Sequence, residues 1–441
     1  MLTREENELL CRVEADAPMG QLMRRHWIPA LLPEQLSVDG APLRLRLLGQ
    51  DLVAFSDTKG RVGVLDELCP HRKASLVYGR NENCGLRCLY HGWKFAADGT
   101  VMEMPSEPAA EQVTRNVKHK AYPAHESSGF IWVYLGPIDE MPEFEAPPWA
   151  PTQDTNISIL RIEVGCNWAQ ILEGQIDSAH SSTLHSSDMV MVQQGLTRAE
   201  ANDTHWLRPS TDRMPKIQVQ ATNYGMRYAA IRKPTLNPDT HDYVRITTYV
   251  APFIALIPPN NAYNVATVLT PVDDHHTTFH FMAWSPTGGV DPITWRRFGH
   301  AEVGIDLDSS FRNIRTRTNN YLQDRDAMVR GDFTGIKGIP NQDIAMWESM
   351  GTIVDRTSER LSASDIAVIQ FRRIMIAAAA KWKETGTALG RGTPHIPHVK
   401  LAAFEGIVPK STPWRTLGAS QDEIALYGEE GRGAETKSAA E

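Results

Sequence analysis

Two short segments carry a thiol and an imidazole side by side. Cys69-Pro-His71 and Cys88-Leu-Tyr-His91 each offer one of both, with sixteen residues between the pairs. Two cysteines and two histidines suit a two-iron cluster in which the thiolates hold one iron and the imidazoles the other. Exchanging thiolate for neutral imidazole removes negative charge and raises the potential. Such a centre accepts electrons and passes them to something more oxidising. Structural zinc takes the same four donors and is the alternative reading.

A second set of donors lies in Asn167-Trp-Ala-Gln-Ile-Leu-Glu-Gly-Gln-Ile-Asp177-Ser-Ala-His180-Ser-Ser-Thr-Leu-His185. On a helix, Asp177 and His180 share a face. His185 is five residues further on and needs a bend to converge with His180. Two histidines and one distant carboxylate make the facial triad of non-haem Fe(II) oxygenases, with positions left open for O2 and solvent. Asp177 is then free to hydrogen-bond a ligand imidazole, which fixes its tautomer. The candidate third ligand is Asp343, in Asn341-Gln-Asp-Ile-Ala-Met-Trp-Glu348 at the start of an expected helix. An acid there could instead only cap, and Asp306, Asp308 and Asp324 are the other candidates. His275-His276 and His395-x-x-His398 are expected to be loop residues. Arg245 interrupts a strand otherwise fit for burial, and a planar fork placed there could bind a carboxylate. Arg208, beside Trp206, could do the same. Arg227 and Arg232 fall on opposite faces of a neighbouring strand and are not ranked. Trp168, Trp347 and Phe253 could line the site or sit in the core.

The elements that position these groups are of two kinds. A chain of 441 residues exceeds the size at which one core stops growing, so two domains are expected. After helical stretches at Glu5–Val13 and Gln21–Trp27, residues 44–136 read as short strands: Leu45–Leu48, Leu52–Phe55, Arg61–Leu65, a hairpin of Gly92–Ala96 with Thr100–Met104 around Ala97-Asp-Gly99, and Phe130–Leu135. Both Cys/His pairs fall on loops between them. The proline- and acid-rich segment 138–152 marks the boundary, giving domains 1–150 and 151–441. Beyond it, six strands are expected at Ser158–Val164, Lys216–Ala221, Met226–Arg232, Tyr243–Val250, Asn264–Leu269 and Thr277–Ala283. Helices are expected at Gly304–Arg330, Asp343–Met350 and Ser364–Lys383. The tail 419–441 is polar and expected to be mobile. The fold class is α+β: an antiparallel β domain, then an antiparallel sheet with long helices.

A net charge of −8 argues against a nucleic-acid partner. The opening MLTREENELL has no signal-peptide pattern, and no apolar run is long enough to span a bilayer. Five cysteines in so long a chain fit a reducing, cytoplasmic setting, with Cys11, Cys84 and Cys166 as inert thiols.

In order along the chain stand C-P-H-R, C-x-Y-H-G-W, E-x3-D-x2-H-x4-H and Q-D-x3-W-E. With these motifs the sequence resembles, over essentially its whole length, the oxygenase component of Rieske non-haem iron aromatic-ring oxygenases, in the phthalate dioxygenase branch. Pro70 and the His91-Gly-Trp93 run are similar to Rieske loops rather than zinc fingers. The resemblance implies that Cys69, His71, Cys88 and His91 hold a Rieske 2Fe-2S cluster. It implies that His180, His185 and Asp343 hold mononuclear non-haem Fe(II), and that Asp177 is the electron bridge. It further implies a helix-grip catalytic domain and a homo-oligomer, trimer or hexamer, in which one subunit's cluster faces its neighbour's iron. The expected partners are a separate flavin/iron-sulfur reductase using NADH, together with O2 and an aromatic carboxylate held by Arg208 and Arg245. The expected reaction is cis-dihydroxylation of phthalate or a close benzoate. The alternatives are a monooxygenase performing O-demethylation or ether cleavage, and an electron carrier without a catalytic iron.

Overall fold

The computed structural model describes residues 1–108, 117–150, 152, 154–191, 206–259 and 262–428. Contacts divide the chain into two compact units: Arg12–Phe144 with Thr270–His275, and Met1–Cys11 with Glu145–Leu269 and His276–Glu441.

The first unit is built from three small antiparallel sheets. β1 (Trp27–Leu31), β10 (Ala124–Ser127) and β11 (Phe130–Tyr134) form one, in the order β1-β11-β10. β2 (Leu43–Leu47), β3 (Gln50–Ser56), β4 (Val62–Asp66) and β9 (Ala121–Tyr122) form the second. The third contains β5 (Arg80–Glu82), β6 (Gly85–Arg87), β7 (Lys94–Phe95) and β8 (Val101–Glu103). Val53, Phe55, Leu65, Leu86 and Phe95 form a buried cluster that also contains Cys69, Cys88 and Trp93. The two Cys/His loops are therefore anchored in the core itself. The Gln21–Trp27 helix is shorter than expected: it covers Pro18–Met23, and Trp27 already begins β1. The detached segment 270–275 joins this unit because Leu48 N–H and Gly49 N–H donate to the carbonyls of Pro271 and Val272, at 3.0 and 2.8 Å. Asp274 Oδ1 in turn accepts from Val13 N–H at 2.8 Å.

The second unit holds an antiparallel sheet of eight strands, two more than expected. β12 (Asn156–Val164), β15 (Lys216–Thr222), β16 (Gly225–Arg232), β17 (His241–Val250), β19 (Asn264–Pro271) and β20 (Thr277–Ser285) match the expected six. β18 (Ile254–Ile257) and β21 (Phe404–Pro409) are the additions, and the order is β12-β20-β19-β18-β17-β16-β15 with β21 also on β17. A small parallel pair, β13 (Met189–Met191) and β14 (Trp206–Arg208), stands apart from it. A 20-residue helix (Ile366–Thr385) buries Val368, Phe371, Met375, Ala378 and Ala379, spacing that lays one stripe on the sheet. Its Phe371 and Met375 meet Tyr249, with ring centroids 5.4 Å apart and the hydroxyl 3.2 Å from sulfur. The opposite face, with Ala229, Val244 and Ile246, is covered by Phe404, Trp414 and Leu417.

The long helix expected over 304–330 is absent. In its place stand a 3-10 segment at Arg317–Leu322 and a short helix at Arg325–Val329. Asp308, Asn313 and Asn319 turn the chain by accepting from nearby backbone N–H groups, which competes with helix formation. Part of the expected mobile tail is ordered. Gln421–Tyr427 is helical with a Ser420/Glu423 capping box, and buried Glu423 accepts from Tyr224 O–H at 2.6 Å. The rest of that expectation, 429–441, lies outside the described residues. The N-terminal helix Arg4–Cys11 belongs with this unit: Arg356 Nη1 donates to Asn7 Oδ1 at 3.0 Å, and Asn167 Nδ2 donates to the Cys11 carbonyl at 2.9 Å. Among the described residues no helix is long and apolar enough to cross a membrane.

Candidate metal centres and substrate cavity

In the first unit the two Cys/His loops stand side by side. The His71 and His91 rings lie 4.4 Å apart, and His71 stacks on Trp93 at 4.6 Å and 5°. Each loop is tied by its own backbone. Lys73 N–H donates to the Cys69 carbonyl at 2.9 Å, and Gly92 N–H to that of Cys88 at 3.1 Å. Gly92 has φ +76°, and a Cβ there would meet Pro105 at 2.7 Å, so the second loop requires glycine. Two observations fit a cluster held here. His71 Nδ1 is buried with no hydrogen-bond partner, a costly state for an imidazole nitrogen unless a metal takes its lone pair. Burial pushes the Cys69 thiol up to about 11, and Cys88 beside it adds to the effect. Bound iron is what would hold this pair as thiolates. His91 is shifted the other way, below the ordinary imidazole value, by desolvation and by the His71 and Arg72 charges; the neutral form is the one a metal needs. Cys84 lies on the β5–β6 turn with φ +63°, away from the quartet's core.

In the second unit the helix expected to carry both Asp177 and His180 stops at Ile176. Asp177 is its C-cap, in extended conformation, and its carboxylate accepts from Ala179 N–H at 2.7 Å and His180 N–H at 3.3 Å. This side-chain turn ends the helix. It starts a 3-10 turn at His180–Ser182 and supplies the bend that His185 needs. Gly174, in the last turn of the helix, lets Trp347 pack against the backbone: a Cβ would lie 2.2 Å from its indole nitrogen. The third donor comes from the helix Ile339–Ser349, in which Asp343 is in the second turn and does not cap.

These three residues converge. His180 Nε2 and His185 Nε2 are 3.2 Å apart, and Asp343 Oδ1 is 3.5 and 3.1 Å from them. Cis ligands about 2.1 Å from one metal ion stand roughly 3 Å from one another, so the spacing is that of one octahedral face. Each imidazole is held from behind. His180 Nδ1 is 3.3 Å from Asp177 Oδ2, and His185 Nδ1 is 2.7 Å from Gln342 Oε1. Burial works against charge on His180, but Asp177 and Asp343 outweigh it and raise its affinity for a proton; the pocket favours a cation. Burial would raise the Asp177 carboxyl, yet the hydrogen bond and charge of His180 and the two backbone donors bring it below its ordinary value. Asp306 pairs with Arg315 at 3.0 Å, Asp308 turns its own loop, and Asp324 caps the short helix after it. None of these alternatives joins the triad.

The triad opens onto a cavity of about 70 Å³ whose apolar wall includes Met189, Trp206, Ile257, Pro258, Phe281 and Ile339. Trp206 is fixed by its N–H to Tyr263 Oη, 3.0 Å. Arg245 lines this cavity with Tyr228 and Thr247, and one of its Nη atoms donates to the Pro258 carbonyl at 3.0 Å. Arg208 lines an adjoining polar recess that shares Ser181 and Met189 with the cavity. Its Nη atoms donate to Ser181 Oγ and Ser182 Oγ, at 2.8 and 3.0 Å. Trp168, Trp347 and Phe253 are core residues and do not line the cavity. Arg232 is buried against Ser178 and Ser182, whereas Arg227 faces away and bonds the carbonyls of Arg415 and Leu417. The pairing of Ala230 with Arg245 puts even residues of β16 on the cavity side, and this register is the signal that separates the two. His395 and His398 flank Glu145 at 3.0 and 3.7 Å.

Comparisons with known proteins agree with this geometry. Residues 26–120 match the Rieske [2Fe-2S] domain family, and residues 133–438 match the family described as LigXa C-terminal domain like. The chain is 58% identical over 421 residues to the phthalate 4,5-dioxygenase oxygenase subunit of Pseudomonas putida, covering 95% of each. It is 35% identical to the 3-chlorobenzoate-3,4-dioxygenase oxygenase subunit of Comamonas testosteroni, covering 94% and 98%. Among solved structures, dicamba monooxygenase bound to dicamba shares the fold at a TM-score of 0.56 and 17% identity, over 82% of this chain and 98% of that one. With a mixed Cys/His quartet, a His-His-Asp triad and near-complete coverage by these relatives, the chain belongs to the Rieske-type non-haem iron aromatic-ring-hydroxylating oxygenases and is closely related to phthalate dioxygenase.

Proposed function

We propose that this terminal oxygenase cis-dihydroxylates an aromatic carboxylate, with phthalate the first choice, taking electrons from NADH through a separate flavin/iron-sulfur reductase in the cytoplasm. The observation that carries the reading is buried Arg245 on the wall of the same cavity onto which His180, His185 and Asp343 open. A guanidinium in a cavity whose apolar wall includes Trp206, Phe281, Ile257 and Pro258 suits a ring with a carboxylate attached. Similarity to phthalate and chlorobenzoate dioxygenase subunits supports the same substrate class.

Cys69, Cys88, His71 and His91 would hold the cluster, and His180, His185 and Asp343 the iron. Bound there, the cluster supplies electrons and the iron the position at which O2 is activated. The protein's own residues do the rest. Gln342 and Asp177 hold the two imidazoles with Nε2 turned to the triad. Trp206 and Phe281 confine the ring and exclude water, while Arg245 and Arg208 fix its carboxylate end. In the net reaction the ring gains both oxygen atoms of O2, two electrons and two protons. Asp177 bridges His180 to the cluster of a neighbouring copy in a homo-oligomer, a trimer or hexamer. Exposed Leu89 and Tyr90 beside His91 suit that docking.

The test is mass-resolved product analysis with reductase, NADH, O2 and phthalate, isophthalate, terephthalate, 3-chlorobenzoate, phenoxybenzoate or methoxybenzoates. A product heavier by two oxygens and two hydrogens supports the proposal. Loss of a methyl or aryl group supports the monooxygenase alternative. NADH consumption with peroxide and no product overturns the carboxylate pocket.

A further inference from the structure

Two buried guanidinium groups, Arg208 and Arg232, hold one turn of chain, and a third, Arg245, stands near them. Arg232 ends β16 and is 1% exposed; Arg208 and Arg245 are 4% and 5% exposed. Arg232 Nη2 donates to the Ser178 carbonyl at 2.7 Å and to Ser182 Oγ at 3.3 Å, and Nη1 to Ser178 Oγ at 3.4 Å. Ser182 Oγ also accepts from Arg208 at 3.0 Å, so one hydroxyl is shared by two cations. Arg232 pairs with Tyr243 and Ala230 with Arg245, which makes Arg232 and Arg245 diagonal neighbours on one sheet face.

Among the described residues, neither Arg208 nor Arg232 has a carboxylate within ion-pair distance, and the Nε of each is buried without a partner. Burying charge against hydroxyls and a carbonyl alone is costly, and nearby like charges add to the cost. Burial first, then the neighbouring arginines, brings Arg208 down to about 9 and Arg232 to about 10. Arg208 and Arg232 are thus buried cations short of counter-charge, whereas Arg245 has Tyr243 and Glu405 beside it. Arg245 lines the cavity and Arg208 the adjoining recess, while Arg232 lines neither.

We infer that Arg232 is a positioning residue that sets specificity: behind Arg208 and Arg245, its charge selects an aromatic substrate with two carboxylates over one with a single carboxylate. The inference rests on the carboxylate pocket proposed above. A monoanion meets the field of Arg232 once and a dianion meets it twice, so removing that charge weakens dianion binding by about twice as much on a logarithmic scale. The fork also holds the Ser178–Ser182 turn, which contains His180, and this structural duty acts on both substrates alike.

Two variants separate the roles. Arg232→Gln keeps an amide donor and removes the charge; Arg232→Lys keeps the charge and removes the fork. Binding of phthalate and of benzoate to the iron-loaded holoenzyme is measured by calorimetry at about pH 8, where the carboxyls are ionised. Iron content and the cluster spectrum report the fold. Arg232→Gln is expected to weaken phthalate about a hundredfold and benzoate about tenfold, so the preference falls about tenfold. Arg232→Lys is expected to keep the preference within about threefold. Equal losses for both ligands in both variants, or an unchanged preference in Arg232→Gln, overturn the inference and leave the carboxylate pocket standing. A wild-type protein that binds neither ligand overturns the pocket and this inference with it.

Discussion

Gln342 Oε1 stands 2.7 Å from His185 Nδ1, and the next residue of the same helix, Asp343, places Oδ1 3.1 Å from the Nε2 of that ring. One helical turn grips both edges of a single imidazole. The amide orientation follows from its other side. Gln342 Nε2 donates to Asp188 Oδ2 at 2.7 Å and to the Ile336 carbonyl at 2.9 Å, both acceptors. Oε1 must therefore face His185, whose Nδ1 must carry the hydrogen. Gln342→Leu removes this constraint and is expected to weaken iron retention by roughly ten- to a hundredfold. Iron per chain after dialysis against a graded chelator measures it, with the cluster spectrum as the control for folding. Wild-type retention in the variant would show that Gln342 only fills space.

Asp177 combines two duties that one substitution can separate. Its carboxylate turns the backbone at Ala179 and His180 and also holds His180 Nδ1. Asp177→Asn keeps an acceptor for the turn and lowers the negative charge, so both metals are expected to remain. Asp177→Ala removes all three bonds. If Asp177 carries electrons towards His180, both variants should retain iron while substrate-coupled reoxidation of the reduced cluster slows by orders of magnitude in rapid mixing. Normal coupled turnover in Asp177→Ala would falsify the bridge.

The candidate metal donors stood out in the sequence because their grouping is local: Cys69/His71 and Cys88/His91 each sit on one short loop, and His180/His185 on one short segment. The sheet was largely legible too, since β16 and β17 carry strong β-formers. β18 and β21 were not, because four residues after a turn gain their pairing only between β17 and β19, and the mixed segment Phe404–Pro409 only beside β17. The supposed helix at 304–330 failed for a local reason, side-chain turns made by Asp308, Asn313 and Asn319. Arg232 was hidden because its importance depends on register between two strands, and parity within one strand does not fix register.

Arg245 offers a direct test of the proposed carboxylate site in the cavity. Desolvation opposes its charge, but Tyr243 and Glu405 keep its affinity for a proton above the ordinary value, so it stays cationic throughout the working range. Arg245→Gln is expected to raise KM for an aromatic carboxylate by about a hundredfold or more, as for loss of a buried charged hydrogen bond to substrate. The matching amide of the same acid should lose far less. A variant with equal losses for acid and amide would place the carboxylate elsewhere.

His280 gives the protein a dependence on pH that owes nothing to the metals. It is fully buried on β20, opposite Arg161 on β12, and its Nδ1 meets the Val268 carbonyl at 3.2 Å. Burial, and then the Arg161 charge, bring its pKa from 6.5 down to about 3. In the unfolded chain the imidazole takes a proton below about pH 6.5, whereas the folded protein resists until about pH 3. The unfolded state therefore binds more protons across that window, and the stability contribution, complete above pH 6.5, is lost as pH falls towards 3. The slope from one such group is at most about 1.4 kcal/mol per pH unit. His280→Asn can keep a donor for the Val268 carbonyl and does not titrate there. Its unfolding midpoint should fall less steeply than the wild type's between about pH 6.5 and 5, where the carboxylates are mostly still ionised. Parallel midpoint curves for the two proteins would mean that His280 is protonated in the fold.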